Sequence, residues 1–343
     1  MKSILIKAER EYEVAFEAPW RDAILNVINI HNKVLIVVSE NLAALIGINE
    51  FSSAKVKVVT TPDGESSKSE EFLMQMWREC ADFGLTRSDC IVAIGGGATT
   101  DVGGFVAATW LRGISWHAIP TSLAGMVDAA IGGKTGINSS SGKNLIGAFH
   151  SPDSVIIDIT FLESLPDRDF QAGMAEVIKC GFIADPEILE LAMNAKSNIA
   201  QLVHRSVQVK AKVVSSDFKE SKLREILNYG HTLGHAVEKL EDYKLRHGEA
   251  ISIGLMFAAQ LSSVRGELDG ETVARHKELL EIFNLPTSYS KSALPALMDL
   301  MASDKKSRGG QLRFIGLKGV GQPMWIEDVT SQQIAQAYER ISQ

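Results

Sequence analysis

Hydrophobic residues recur along this chain with two different textures, and the change from one to the other divides it. In the first half, short aliphatic runs alternate with segments of helical spacing. Lys33–Ser39 (K-V-L-I-V-V-S), Ala54–Thr60 (A-K-V-K-V-V-T) and Cys90–Ile94 (C-I-V-A-I) are continuous enough to be buried strands. Between them, Leu42–Ile46 and Ser69–Phe83 repeat apolar residues three and four apart, which marks one face of a helix. Strands alternating with helices predict a parallel, doubly wound sheet. After Pro166 the pattern predicts long helices over Phe170–Ile183, Pro186–Phe218, Glu225–Leu240, Glu249–Leu268, Glu271–Phe283 and Ala293–Ser303, with Pro286 and Pro295 punctuating the last of them. Leu312–Leu317 and Met324–Ile326 read as a short strand pair.

Bulk properties narrow the class. At 343 residues the chain exceeds the size at which one hydrophobic core stops growing, so two domains are the default. Apolar content of 45% and charged content of 22% are those of an ordinary soluble protein. A net charge of −7 argues against general nucleic-acid binding, though not against a local basic pocket. Cys80, Cys90 and Cys180 are odd in number and lack metal spacing, so they read as buried thiols of a reducing compartment. The start, M-K-S-I-L-I-K, has too short an apolar run for a signal peptide, and no stretch approaches the roughly 20 apolar residues of a membrane span. A soluble cytoplasmic protein is expected.

Candidate chemistry gathers in a few places. The third strand runs into Gly95-Gly96-Gly97, with a helix starting at about Thr100; such a turn lets backbone approach a pyrophosphate, although it is not the G-x-G-x-x-G fingerprint. Ile131–Asn144 (I-G-G-K-T-G-I-N-S-S-S-G-K-N) reads as an anion-binding loop. It is not a Walker loop, because Asp128 stands where that motif needs its first glycine. Pro62–Lys68 is a turn able to present Asp63, Glu65 and Lys68 to a nucleotide. Of eight histidines, His231, His235 and His247 fall within seventeen residues. Imidazoles four apart lie on one helical face, so spacing alone pairs His231 with His235; that pair serves equally as a cation or anion site or as hydrogen-bonded residues on a half-buried helix. The fold expected is therefore an α/β nucleotide-binding domain over residues 1–166 with a mostly α-helical domain over 167–343, and a ligand cleft between them.

Taken in order, these motifs resemble the 3-dehydroquinate synthase family. P-D-G-E-x-x-K, G-G-G-x-x-x-D, Arg112-Gly113, Asp128, G-G-K-T, G-K-N, A-E-V-I-K at Ala175–Lys179, L-N-x-G-H-T-x-G-H, H-G-E at His247 and D-K-K at Asp304–Lys306 all stand in sequence. Two departures appear: Ala98-Thr99-Thr100 follows the glycines where many members have V-I-G or similar, and Thr121-Ser122 replaces a threonine pair.

The resemblance implies a dehydroquinate synthase-like fold, NAD, one divalent metal (zinc or cobalt) and a homodimer. It implies Glu176, His231 and His247 as metal ligands, which replaces the spacing-based pair. Three protein ligands would leave a position open to substrate. The implied substrate is 3-deoxy-D-arabino-heptulosonate 7-phosphate, converted to 3-dehydroquinate and phosphate by transient NAD oxidation, phosphate elimination, re-reduction and intramolecular aldol closure. Lys210 and Arg224 match contacts to its carboxylate. Lys134, Asn144, Asn228 and His235 match the phosphate cluster, with Arg112 supplied by a partner subunit and one of Lys305 and Lys306 nearby. Asp128 and Lys179 match an interior hydroxyl, and Glu220 a proton acceptor. The dinucleotide contacts implied are Asp63, Gly64, Glu65, Lys68, Gly97, Ala98, Thr99, Thr100, Asp101, Thr121, Ser122, Lys134, Lys143, Phe161, Leu162, Glu163 and Ser164. Rival readings are a sister sugar phosphate cyclase, a metal-dependent alcohol dehydrogenase of the glycerol-dehydrogenase type, and a non-catalytic NAD-binding regulator. Arg224 and Lys210 disfavour the first, the G-G-K-T and G-K-N run the second, and the intact Glu176, His231 and His247 set the third.

Overall fold

A computed structural model describes residues 3–16, 18–140, 142–307 and 312–343, with the backbone alone for 303–307. The Lys305 and Lys306 side chains therefore lie outside the described residues. Two compact units form: one from Met1–Leu165 with Lys210–Lys219, the other from Pro166–Val209 with Glu220–Gln343. A single division at 166/167 leaves out the return of Lys210–Lys219 to the first unit.

The first unit is built on a seven-stranded sheet. Its strands are β1 (Ile4–Lys7), β2 (Glu11–Phe16), β3 (Val34–Ser39), β4 (Val56–Thr61), β5 (Cys90–Gly95), β6 (Ser115–Pro120) and, after the β7–β8 hairpin described below, β9 (Ser154–Ile157). The order is β1-β2-β9-β6-β5-β3-β4, and every pairing is parallel except β1 with β2. Val34–Val38 and Cys90–Ile94 are buried throughout, as their unbroken apolar runs require of strands covered on both faces. The crossovers carry helices α1 (Trp20–Ile30), α2 (Glu40–Ile46), α3 (Glu70–Phe83) and α4 (Gly97–Thr109). Helix α4 begins three residues earlier than the sequence pattern suggests, directly on the glycine turn. The glycine-basic run is not a loop. Lys134–Ser139 and Gly142–Phe149 pair as the antiparallel hairpin β7–β8, with Gly136 against Gly147 where a Cβ would strike opposing backbone.

The second unit is helical: α5 (Asp167–Ile183), α6 (Pro186–Ala192), the first part of α7 (Ala195–Ser216), α8 (His231–Leu240), α9 (His247–Val264), α10 (Gly270–Ile282), α11 (Leu294–Ser307) and α12 (Ser331–Glu339), with the strand pair β10 (Phe314–Leu317) and β11 (Pro323–Ile326). The span from Pro186 to Phe218 is two helices, interrupted at Met193–Asn194. The segment expected as one helix from Glu225 opens instead as a 3₁₀ turn, Leu223–Asn228, and restarts at His231 after Gly230, whose φ of 81° no continuing helix accepts. Helix α9 is apolar on all sides and almost wholly buried, which makes it the axis of this unit. Among the described residues, no helix is long and apolar enough to cross a membrane. All three cysteines are buried, and none is in a disulfide.

Beside α9, His276 stacks on Phe182 at 3.4 Å between ring centroids, lies 2.8 Å from the Tyr229 hydroxyl and donates Nδ1–H to the Thr272 carbonyl at 2.7 Å. Burial pushes its pKa down to about 4. The unfolded chain takes up this proton near pH 6.5 and the folded chain only near 4, so stability is intact above 6.5 and falls as pH drops between them. The full loss is roughly 3 kcal/mol. In urea unfolding at pH 6.5 and 4.5, His276→Gln should show a smaller drop than the parent chain; equal drops would contradict this assignment.

Candidate metal and anion-binding sites

Helix α5 supplies Glu176, α8 supplies His231 and α9 begins with His247. Close backbone approach brings these helices together. A Cβ on Gly248 would lie 1.8 Å from the Ala172 carbonyl oxygen, and one on Gly254 would lie 1.9 Å from the Gly230 carbonyl oxygen. No side chain larger than hydrogen fits at either position, so α9 presses directly on α5 and on the turn that starts α8.

Three ligand-type atoms converge as a result. Glu176 Oε1 is 3.5 Å from His231 Nε2 and 3.5 Å from His247 Nε2. The far nitrogens are both engaged: His231 Nδ1 donates to the Tyr229 carbonyl at 3.1 Å, and His247 Nδ1 to Glu238 Oε2 at 3.2 Å. A carbonyl and a carboxylate only accept, so each Nδ1 carries a proton and, in the neutral ring, each Nε2 points a bare lone pair at Glu176. Glu176 Oε2 takes the Lys179 ammonium, whereas buried Oε1 has no hydrogen-bond partner.

The electrostatics match this picture. Burial opposes ionisation of Glu176, but Lys179, His231 and His247 together outweigh it and hold the carboxyl well below its usual range. Burial, reinforced by Lys179, keeps His231 neutral. His247 goes the other way: against the effect of burial, the flanking carboxylates of Glu176 and Glu238 raise it to about 10. Without a cation, then, a proton on His247 supplies positive charge between two carboxylates. His235 lies on the exposed side of α8, with its ring 5.2 Å from His231 and 6.0 Å from His247, and so borders the cluster. Glu238 was not singled out by sequence reasoning. The signal was available: it sits seven residues after His231, two turns along the same face.

Elsewhere in the helical unit, Arg224 is buried at 2% exposure in the 3₁₀ turn, and Asn228 donates to Glu220 Oε1 at 2.8 Å. Glu220 adopts φ 58°, an uncommon conformation for this residue type.

The first unit holds its own charged clusters. Lys68, 3% exposed, bonds Asp101 Oδ2 at 2.6 Å and also reaches Asn144. Asn138, on β7, links Glu65 at 2.8 Å to the Asn144 backbone at 2.9 Å. The turn after β4 and the hairpin thus meet, so residues assigned separately to nucleotide and phosphate stand side by side. Asp63 accepts from Asn41, and Gly64 begins a 3₁₀ turn. Lys210 donates to the Asp128 carbonyl at 2.5 Å and to its carboxylate. At the start of α4, Gly97 abuts Ala129, Thr99 and Thr100 are buried, and Ala98 stands between them at the helix N-terminus. Thr121 N bonds the Gly95 carbonyl at 2.9 Å and Ser122 Oγ caps Gly125 N at 3.2 Å, so this loop lies over the glycine turn. Lys134 is exposed, Lys143 is half-buried on β8, and Arg112 is exposed at φ 67° past α4. Phe161 is core, 5.8 Å from Trp20, while Leu162 is half-buried and Glu163 and Ser164 are exposed.

Residues 58–172 match the 3-dehydroquinate synthase N-terminal family model and residues 173–307 match the C-terminal one. The chain belongs to the 3-dehydroquinate synthase family. It is 48% identical over 330 residues to a 3-dehydroquinate synthase of Streptomyces avermitilis, covering 94% of this chain and 90% of that protein. A Corynebacterium diphtheriae 3-dehydroquinate synthase is 42% identical over 355 residues, covering 100% of this chain and 99% of that protein. Among solved structures, a 2-epi-5-epi-valiolone synthase of Streptomyces hygroscopicus subsp. jinggangensis 5008, with NAD+ and Zn2+ bound, matches with a TM-score of 0.87 at 26% identity over 96% of each chain. A probable glycerol dehydrogenase from Sinorhizobium meliloti reaches a TM-score of 0.62 at 16% identity, covering 96% of this chain and 95% of that one, which is a likeness of fold alone.

The helix contact at α9 is directly testable. Gly254→Ala forces a methyl group against the Gly230 carbonyl, which is backbone and has no rotamer to escape into. Chemical denaturation should show a loss of about 3 kcal/mol or more, as severe overpacking does. A loss below about 0.5 kcal/mol would mean the contact yields easily.

Proposed function

We propose that this chain is a 3-dehydroquinate synthase, acting on 3-deoxy-D-arabino-heptulosonate 7-phosphate with NAD and one divalent cation. The observation that carries the cofactor part is the buried Glu176 Oε1, which has no hydrogen-bond partner and stands 3.5 Å from the Nε2 atoms of both His231 and His247. A buried anionic oxygen left without a donor is costly, and the donor set of one carboxylate and two imidazoles suits zinc or cobalt. Both imidazoles are already oriented through their outer nitrogens, as metal-binding histidines generally are. When bound, the cation polarises a substrate hydroxyl and the nicotinamide accepts and returns a hydride.

The chain's own groups then bind and orient a substrate that carries both carboxylate and phosphate. Arg224 and Lys210 pair with the carboxylate, where a guanidinium fork offers two-point contact. Arg224 is buried in the 3₁₀ turn that precedes α8. Lys134, Asn144, Asn228 and His235 take the phosphate, joined by Arg112 of a second copy and by Lys305 or Lys306. Asp128 and Lys179 hold an interior hydroxyl. Glu220 accepts a proton. Lys68, Asp101 and Glu65, together with the Gly97–Asp101 helix start and Thr121-Ser122, line the dinucleotide. Phosphate elimination and ring closure are helped chiefly by fixed positive charge and by orientation of the reacting groups. The assembly is a homodimer in the cytoplasm.

The test is incubation with the heptulosonate phosphate and catalytic NAD plus zinc. Phosphate should appear without net NADH, and Arg224→Ala should lower kcat/KM at least a hundredfold, in keeping with about 3 kcal/mol for a buried charged contact. Stoichiometric NADH would indicate a dehydrogenase, and unchanged kinetics of the variant would remove the role given to Arg224.

A further inference from the structure

The first unit holds another convergence of ligand-type atoms that nothing above uses. His31 caps the C-terminal end of α1, Cys90 opens β5 and His117 lies within β6; each offers one ligand atom, and all lie within 4.8 Å of one another. Sheet register explains part of this meeting. In the parallel β5–β6 pair Val92 stands opposite His117, so Cys90, two residues before Val92, projects from the same face as His117. Cys90 is fully buried, His117 is 5% exposed and His31 is half-buried at the rim.

The hydrogen bonds orient both rings inward. His31 Nδ1 is 3.3 Å from the Ser88 carbonyl, which only accepts, so that nitrogen carries the proton and Nε2 keeps its lone pair. His117 Nδ1 is 2.8 Å from Ser154 Oγ, an atom able to accept. The two Nε2 atoms then face each other at 3.4 Å. Two imidazole nitrogens bound tetrahedrally at about 2.0–2.1 Å are roughly 3.3–3.4 Å apart. The spacing is close to that between Glu176 Oε1 and its two histidines. A ring-to-ring hydrogen bond would also account for two nitrogens at this distance, but it assigns nothing to the thiol beside them.

We propose that His31, Cys90 and His117 form a second metal site, taking one zinc-class divalent cation through two imidazoles and a thiolate, with a fourth position open on the His31 side. As the sulfur–metal bond forms, the Cys90 proton leaves to solvent. Such a cation ties the end of α1 to β5 and β6, a structural role separate from the site at Glu176 and independent of the function proposed above.

The test uses the reduced, full-length Glu176→Gln chain, stripped of metal and titrated with cobalt(II), which reports thiolate ligation through a sulfur-to-metal charge-transfer band. One equivalent should bind with that band. Cys90→Ser in this background should abolish the band, and His31→Ala, at a half-exposed position that leaves the fold intact, should weaken binding at least about tenfold. Absence of a thiolate band at saturating cobalt, or a band unaltered by either substitution, overturns the proposal. If Cys90→Ser does not fold, His31→Ala decides alone.

Discussion

Glu176 Oε1 is a buried carboxylate oxygen that accepts no hydrogen bond, and much of the helical unit is arranged around it. An unmet charged acceptor of this kind costs more than the roughly 1–3 kcal/mol of a neutral one. Its neighbours do not remove that cost; they prepare for something that would. Lys179 occupies the other oxygen, Tyr229 and Glu238 hold the two imidazoles by their outer nitrogens, and both Nε2 atoms stop 3.5 Å short. Two glycines allow it. With any side chain at Gly248 or Gly254, α9 would stand off from α5 and α8, and the three atoms would no longer share a centre.

The opposite protonation tendencies of His231 and His247 follow from the same arrangement. Both rings face Glu176, yet His247 also has Glu238 behind it, whereas burial and then Lys179 disfavour the charged form of His231. The pair therefore carries one net positive charge between two carboxylates.

Much of this was legible in the sequence, for identifiable reasons. The unbroken runs at Val34–Val38 and Cys90–Ile94 are strands because both sheet faces are covered, and the helical spacing after Pro166 follows from packing around α9. The motif run Ala175–Lys179, with His231 and His247, pointed to the ligand trio, whereas helical periodicity alone favoured His231 with His235. The structure gathers His231 with Glu176 and His247, which come from two other helices, and sets His235, on the exposed side of α8, with Glu238 and His247. The glycine-basic run misled in shape: small residues at Gly136 and Gly147 read as loop, yet they permit a tight hairpin in which backbone nearly touches backbone. Glu238 went unseen although it stands two turns after His231, whereas the His31, Cys90 and His117 cluster went unseen because its members are distant in the chain.

Anomalous diffraction at the zinc absorption edge, on zinc-loaded crystals of the full chain, tests the central assignment most directly. The account predicts a peak bonded to Glu176 Oε1, His231 Nε2 and His247 Nε2, and its disappearance in Glu176→Gln. No peak at this trio, or a peak there that survives the substitution undiminished, would contradict it.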